Sequence, residues 1–178
     1  MGLIMAGVMA YNLYTGNRMN TLHVPLVDAV MEIKLKATMA HLWAEEIIHG
    51  DRHEDINSVW QNIDEADWYA KAMLEGGEKA ETTFIPLENN EVQEKLTQFR
   101  KVTKQRFASI ESSKAGSGMD QQYDSIFKEL INKSDQVKTR LQQVMKQDLN
   151  SFRFTHILLI GIFLMSTLII GTAFYRFE

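Results

Sequence analysis

The sequence predicts an all-α protein, an up-down-up-down four-helix bundle flanked by two transmembrane helices. Three observations carry this expectation. The apolar residues of the 178-residue chain concentrate at its two ends. The polar middle shows four successive runs of helical periodicity. Proline occurs only at Pro25 and Pro86, which leaves long stretches free to be helical. The expected organisation is a first transmembrane helix over 1–17, short or incomplete, then an extracytoplasmic bundle over 18–152, then a second transmembrane helix over 153–178.

The N-terminal run, Met1 to Tyr14, is apolar but only 14 residues long, against about 20 needed to span. No basic segment precedes it and no small-x-small cleavage site follows, so a signal peptide fits poorly. Ala6 stands where myristoylation would want Ser or Thr. Two readings stay open: a short or tilted anchor continuing past Asn17, or a Met1 internal to a longer helix. The C-terminal run, Phe154 to Tyr175, holds 22 residues without a single Asp, Glu, Lys or Arg. At about 1.5 Å per residue it spans roughly 33 Å, enough for a hydrocarbon core of about 30 Å. Arg153 and Arg176 flank it, with Phe174 and Tyr175 at interfacial positions.

With Arg153, Arg176 and Glu178 set aside, the middle carries 17 basic and 22 acidic residues, a net charge of −5. A loop this long can be translocated regardless of its charge, so the positive-inside rule decides little; an N-in, C-in hairpin with the acidic middle outside the cytoplasm is the working topology. The first helix of the middle has its seam at Leu26, Val30, Ile33, Ala37, Ala40, Ala44 and Ile47, in alternating steps of four and three. Gly50 is its expected stop, and Asp51 with Glu54 an acidic capping box for the next helix. That second helix carries Ile56, Val59, Ile63, Ala66, Ala70 and Met73, and Gly76-Gly77 ends it.

In the connector, Thr83, Phe84 and Ile85 favour extended chain ahead of Pro86. Phe84, Ile85 and Leu87 are expected to cap the membrane-proximal end of the core. Asn89 or Asn90 caps the third helix, whose seam is Val92, Leu96, Phe99, Thr103 and Ile110, with Phe107 alongside. After the break at Ala115–Gly118, Asp120 is the expected cap of a fourth helix with Tyr123, Phe127, Leu130, Ser134, Val137, Leu141 and Val144. No Gly or Pro lies between Met119 and His156, so this helix is expected to run straight into the membrane span. Leu35, Met39 and Leu42 give the first helix a second apolar stripe. The stripe predicts either a homodimer or a wide core face on a monomer.

Composition narrows the function. At 45% apolar and 24% charged, the chain is neither disordered nor collagen-like. With no Cys, it holds no disulfide, thiolate metal site, Cys nucleophile or covalently attached haem. A net charge of −4 argues against nucleic acid as a partner. No nucleophile elbow, phosphate-binding loop, zinc-protease motif or dinucleotide fingerprint is present, and an enzyme is not expected.

The layout of membrane helix, four helical runs and membrane helix resembles the extracytoplasmic sensor region of bacterial chemoreceptors (methyl-accepting chemotaxis proteins) and of some sensor kinases. The likeness covers nearly the whole chain. Its most specific piece is Ala37 to Asp51, ATMAHLWAEEIIHGD, similar to the end of the first sensor helix in a subset of those proteins. The resemblance implies a bacterial inner-membrane protein with its bundle facing the periplasm. Such receptors continue into a HAMP linker and a signalling domain, whereas this sequence stops at Glu178. It is therefore expected to pass a signal to a partner, or to serve as an accessory subunit of a larger respiratory or photosynthetic membrane complex. Its expected partners are lipid and either a second copy or other membrane-protein subunits.

Two groups of residues could bind a ligand. His41, Glu45 and His49 follow at i, i+4 and i+8 on one stripe, a donor set suited to a divalent transition metal such as Zn, Ni, Cu or Fe. His53 and several carboxylates lie nearby. Glu46-Ile47-Ile48-His49 matches half of a di-iron bundle site, but the second Glu-x-x-His is missing. The competing reading is a solvated helix end with His at its negative pole. The second group, Trp43, Trp60, Trp68 and Tyr69, either lines a small-molecule pocket between helices or simply packs. His156, inside the last apolar run, is either a helix–helix contact or an interfacial side chain.

Overall fold

A computed structural model describes residues 2–18, 21, 23–50, 55–79, 82–84, 86–87, 90–108 and 114–177. It is predominantly helical: α1 (Gly2–Arg18), α2 (Val24–Ile48), α3 (Ile56–Glu75), α4 (Glu91–Arg106) and α5 (Gly118–Phe177), with β1 (Gly77–Lys79) and β2 (Thr82–Phe84) between α3 and α4. The chain divides into two units, Asn20–Gln142 and the paired ends Met1–Met19 with Gln143–Glu178.

In the first unit, buried residues of α2, α3, α4 and the first part of α5 form one apolar core. The α2 seam is buried at Leu26, Val30, Ile33, Ala37, Ala40 and Ala44. The α3 seam is buried at Val59, Ile63, Ala66, Ala70 and Met73. The small Ala side chains let α2 and α3 approach closely, since interaxial distance follows the side chains at the contact. Among the described residues two predicted seam positions fall outside the core, Ile56 and Val144, which are 39% and 41% exposed and sit at the ends of their periodic runs. Ile110, like Ile85 and Asn89 of the connector, lies outside the described residues.

Helix ends follow local chemistry. Gly50 takes φ +89°, as a residue ending α2 should. The Asp51–Glu54 capping box lies outside the described residues; the observed cap of α3 is Asp55, which accepts from the Asn57 amide at 3.1 Å. Asn90 occupies the cap position of α4 without a side-chain bond. At α5 the expected cap shifts by one turn. Ser117 Oγ accepts from the Asp120 amide at 3.1 Å while Asp120 Oδ2 accepts from the Gly116 amide at 2.6 Å. Asp120 is thus the third residue of the helix in a capping-box-like exchange, with its other oxygen turned inward.

The connector forms a short antiparallel hairpin pairing Gly77 with Phe84 and Lys79 with Thr82. Phe84 is buried and meets Trp68 and Tyr69 edge-on, at 5.8 and 6.2 Å between ring centroids. Leu87 joins the core edge, its amide donating to the Met73 carbonyl at 2.6 Å. Gly76 makes the bend possible with φ +81° and ψ 167°, a region essentially reserved for glycine.

In the second unit, α1 has 17 residues and spans about 26 Å, short of a hydrocarbon core of about 30 Å. Among the described residues one helix is long and apolar enough to cross a membrane, α5, and its apolar stretch is not buried by protein. α5 is a single helix of 60 residues. His156 packs edge-on against Phe152 one turn earlier, 4.6 Å between centroids.

Candidate functional site

Among the described residues one charged side chain of the core is fully buried. Arg106, in the last turn of α4, is 0% exposed. Its guanidinium grips both carboxylate oxygens of Glu45 on α2, Nη2 to Oε2 being 3.0 Å, and also donates to Asp120 in the first turn of α5. A cation at the C-terminal end of α4 and an anion at the N-terminal end of α5 each suit the local helix dipole. The guanidinium carbon lies 4.7 Å from the centroid of the Tyr123 ring, a cation–π distance. This arrangement joins three helices through one side chain.

His41 extends the group. It lies one turn before Glu45, and its Nε2 is 3.1 Å from Asp124 Oδ1. Its ring is stacked against Tyr123, 4.8 Å away and 4° from parallel, and against Phe127, 4.1 Å away. Phe99 of α4 stacks on Tyr123 at 5.4 Å. One donor atom each of His41, Glu45 and Asp124 lies within 4.8 Å of the others, and all three residues are half-buried. Two carboxylates, Glu45 and Asp120, hold the guanidinium and a third, Asp124, meets His41, so carboxylates outnumber the one guanidinium in this group.

Tyr123 is completely buried, and burial, more than any neighbouring charge, pushes its phenol well above the ordinary range. Glu45 and Asp124 push in the same direction, while Arg106 and the neighbouring Thr103 oppose them. Thr103 acts as the hydrogen-bond partner of the phenol, while its own hydroxyl donates to the Phe99 carbonyl at 2.7 Å.

The sequence-derived candidates are therefore partly regrouped. His41 and Glu45 come together as expected, but their third neighbour is Asp124 rather than His49. His49 is 62% exposed, with Nδ1 2.8 Å from the Glu45 carbonyl oxygen and 4.0 Å from Oε2. Eight residues of α-helix rotate a side chain by about 80°, which carries His49 away from His41. His53 lies outside the described residues. The aromatic group does not converge on one cavity. Trp60 and Trp68 line an open groove of about 950 Å³ with Asp64, Glu65 and Lys79, whereas Tyr69 lines another of about 420 Å³ with Asp28 and Glu32. The Lys79 ammonium covers Trp68 and Tyr69, 4.9 and 4.2 Å from their centroids. Trp43 packs against the core and lines neither groove.

Arg106 as the shared partner of Glu45 and Asp120 was missed, although the pattern held a signal. The α4 seam steps from Thr103 to Ile110 across seven residues, and the skipped middle position is Arg106. The α5 seam extended one step back from Tyr123 reaches Asp120. Charges of opposite sign at seam positions of neighbouring helices mark a buried pair. No family model, no curated protein and no solved structure matches the chain.

Proposed function

We propose that the chain is a membrane-anchored sensor: an up-down-up-down four-helix bundle, facing the periplasm from the bacterial inner membrane, that binds a small ligand and relays the event to a partner. The observation that carries this reading is that Arg106 ties α2, α4 and α5 together at one buried point, and α5 continues unbroken into the apolar stretch. A ligand that alters the charge balance at this point changes how the first turn of α5 is held. A rigid helix converts such a change into a displacement further along its length. The reading is of a binding module rather than an enzyme.

The exposed apolar stripe of α2 favours a second reading. Of the predicted stripe, Leu35 and Leu42 are about half exposed, at 51% and 52%, Met39 is only partly exposed, and Met31 adds a further exposed side chain at 50%. A helix apolar on two faces wants a second partner. That partner is a second copy in the sensor reading. In the alternative, the chain is a structural accessory subunit of a larger respiratory or photosynthetic membrane complex, and the stripe docks on another subunit.

Gentle detergent extraction from native membranes, followed by sizing and mass spectrometry of the co-migrating proteins, separates the two. A small homodimer supports the sensor. A discrete large assembly containing other membrane proteins overturns it in favour of the accessory subunit.

A further inference from the structure

We propose that His41, Glu45 and Asp124 form a binding site for a divalent transition-metal ion, and that the ion takes Glu45 away from Arg106. The proposal names the ligand class of the sensor and rests on that reading for its consequence, while its chemistry stands on three features of the site.

The first is spacing. His41 Nε2 and Asp124 Oδ1 are already 3.1 Å apart, near the roughly 3.4 Å edge of a tetrahedral site with bonds of about 2.1 Å. Glu45 completes the triangle with a carboxylate oxygen inside 4.8 Å, within reach of a rotamer adjustment. The second is preorganisation. Stacking against Tyr123 and Phe127 holds the His41 ring with its nitrogen toward Asp124, so little side-chain freedom is lost on binding. The third is charge. Three carboxylates stand against one guanidinium, and a divalent ion offsets the surplus of negative charge.

The donor set selects the metal class. One imidazole and two carboxylates, in a chain without Cys, suit Zn, Ni, Cu(II) or Fe rather than a thiophilic ion. Asp124 is half exposed at its side chain and His41 one-fifth exposed, so the site opens to solvent. The consequence follows from the sharing of Glu45. A bound ion joins α2 directly to α5 through His41, Glu45 and Asp124. Arg106 keeps Asp120 but gives up Glu45, so the tie between α2 and α4 weakens as that between α2 and α5 tightens.

The test is calorimetric titration of Zn²⁺ into the full chain, purified in detergent and stripped with chelator. The expected result is one ion per chain, with affinity reduced at least about tenfold in Asp124→Asn and in His41→Gln and changed less than about threefold in His49→Ala. Asp124→Asn is isosteric at a half-exposed position, which guards against loss of fold. As an independent readout, Co²⁺ should give visible d–d bands that His41→Gln abolishes. Absence of saturable Zn²⁺ binding overturns the proposal. So does Asp124→Asn binding like the parent chain, or His49→Ala losing as much affinity as His41→Gln. Its failure is distinct from that of the sensor reading. A chain that binds Zn²⁺ inside a large assembly keeps the site and refutes the sensor; a homodimer that binds none does the reverse.

Discussion

Replacing Arg106 with Met removes its fully buried charge and leaves two carboxylates facing the cavity. Breaking a buried ion pair from one side costs roughly 3–5 kcal/mol, because the remaining partner keeps its desolvation penalty. Here the partners retain some access to water, Glu45 being 24% and Asp120 17% exposed at their side chains. Partial rehydration lowers the expected cost to about 2–4 kcal/mol. For a cooperative unit the size of Asn20–Gln142, each kcal/mol corresponds to roughly 3–5 °C, so the melting temperature should fall by about 6–20 °C. The assay is thermal melting of the full chain in detergent, followed by far-ultraviolet circular dichroism. Arg106→Met melting within about 2 °C of the parent chain would refute the claim that the guanidinium is paired in a desolvated site.

Other outcomes follow from local geometry. Gly76→Ala forces a Cβ into φ +81°, 3.2 Å from the Phe84 carbonyl oxygen and 3.3 Å from Pro86 Cδ. It should cost about 1–3 kcal/mol by the same melting assay, and a neutral substitution would mean the hairpin bends differently. Two groups of side chains on α2, α3 and α4 contribute to the pH response. Glu65 is held below the ordinary carboxylate range by its hydrogen bond from Lys36, which is raised in return. Burial raises Asp67, but the hydrogen bonds from Lys71 and Gln93 outweigh it and leave it lowered. A lowered carboxylate contributes stability above its unfolded value, about pH 4, and loses it as pH falls through the folded value. A raised lysine contributes below about pH 10.5 and loses it as pH rises further. The melting temperature should therefore drop at both extremes, and Glu65→Gln should flatten the acid limb by less than about 1 kcal/mol, as suits a largely exposed pair. The absence of Cys allows single-cysteine mapping of α5. In membranes opened on both faces, a membrane-impermeant maleimide should label Lys146→Cys at least about tenfold faster than Leu164→Cys; equal rates would mean the apolar stretch does not enter lipid.

Periodicity exposed the helices because steps of four and three are imposed by helix geometry itself. Leu26 through Ala44 on α2 and Val59 through Met73 on α3 went into the core as a seam requires. The hairpin was less visible. Thr82 and Thr83 have strand character, but Glu78 and Lys79 do not, and a three-residue strand is set by what Phe84 can cover. Phe84 finds Trp68 and Tyr69, and the strand pairing follows from that contact. The candidate site was half legible for a related reason. His41 and Glu45 are neighbours within one helix and were readable from spacing. Asp124, Arg106 and Asp120 come from other helices, where the register between chains decides the meeting. Along the stripe, eight residues of helix turn His49 about 80° from His41, and its ring lies against a backbone carbonyl one turn back.

Arg106 and Asp120 occupy seam positions that apolar residues would fill at less desolvation cost. If the group only held the fold together, an apolar substitute of similar size would serve as well. The double variant Arg106→Met with Glu45→Leu tests this, since it removes both charges from the α2–α4 contact and leaves Asp120 its bond from Gly116. It should recover at least half of the loss seen in Arg106→Met alone, a coupling of at least about 1–2 kcal/mol in a double-mutant cycle, larger by whatever Glu45→Leu costs alone. Additive losses would instead mean that the two side chains stabilise the fold independently, and that the link between α2 and α4 is not the shared contact argued here. Recovery of stability together with loss of the ligand response would separate the two roles. The helices would pack without the charges, and the charges would be there to make their packing responsive.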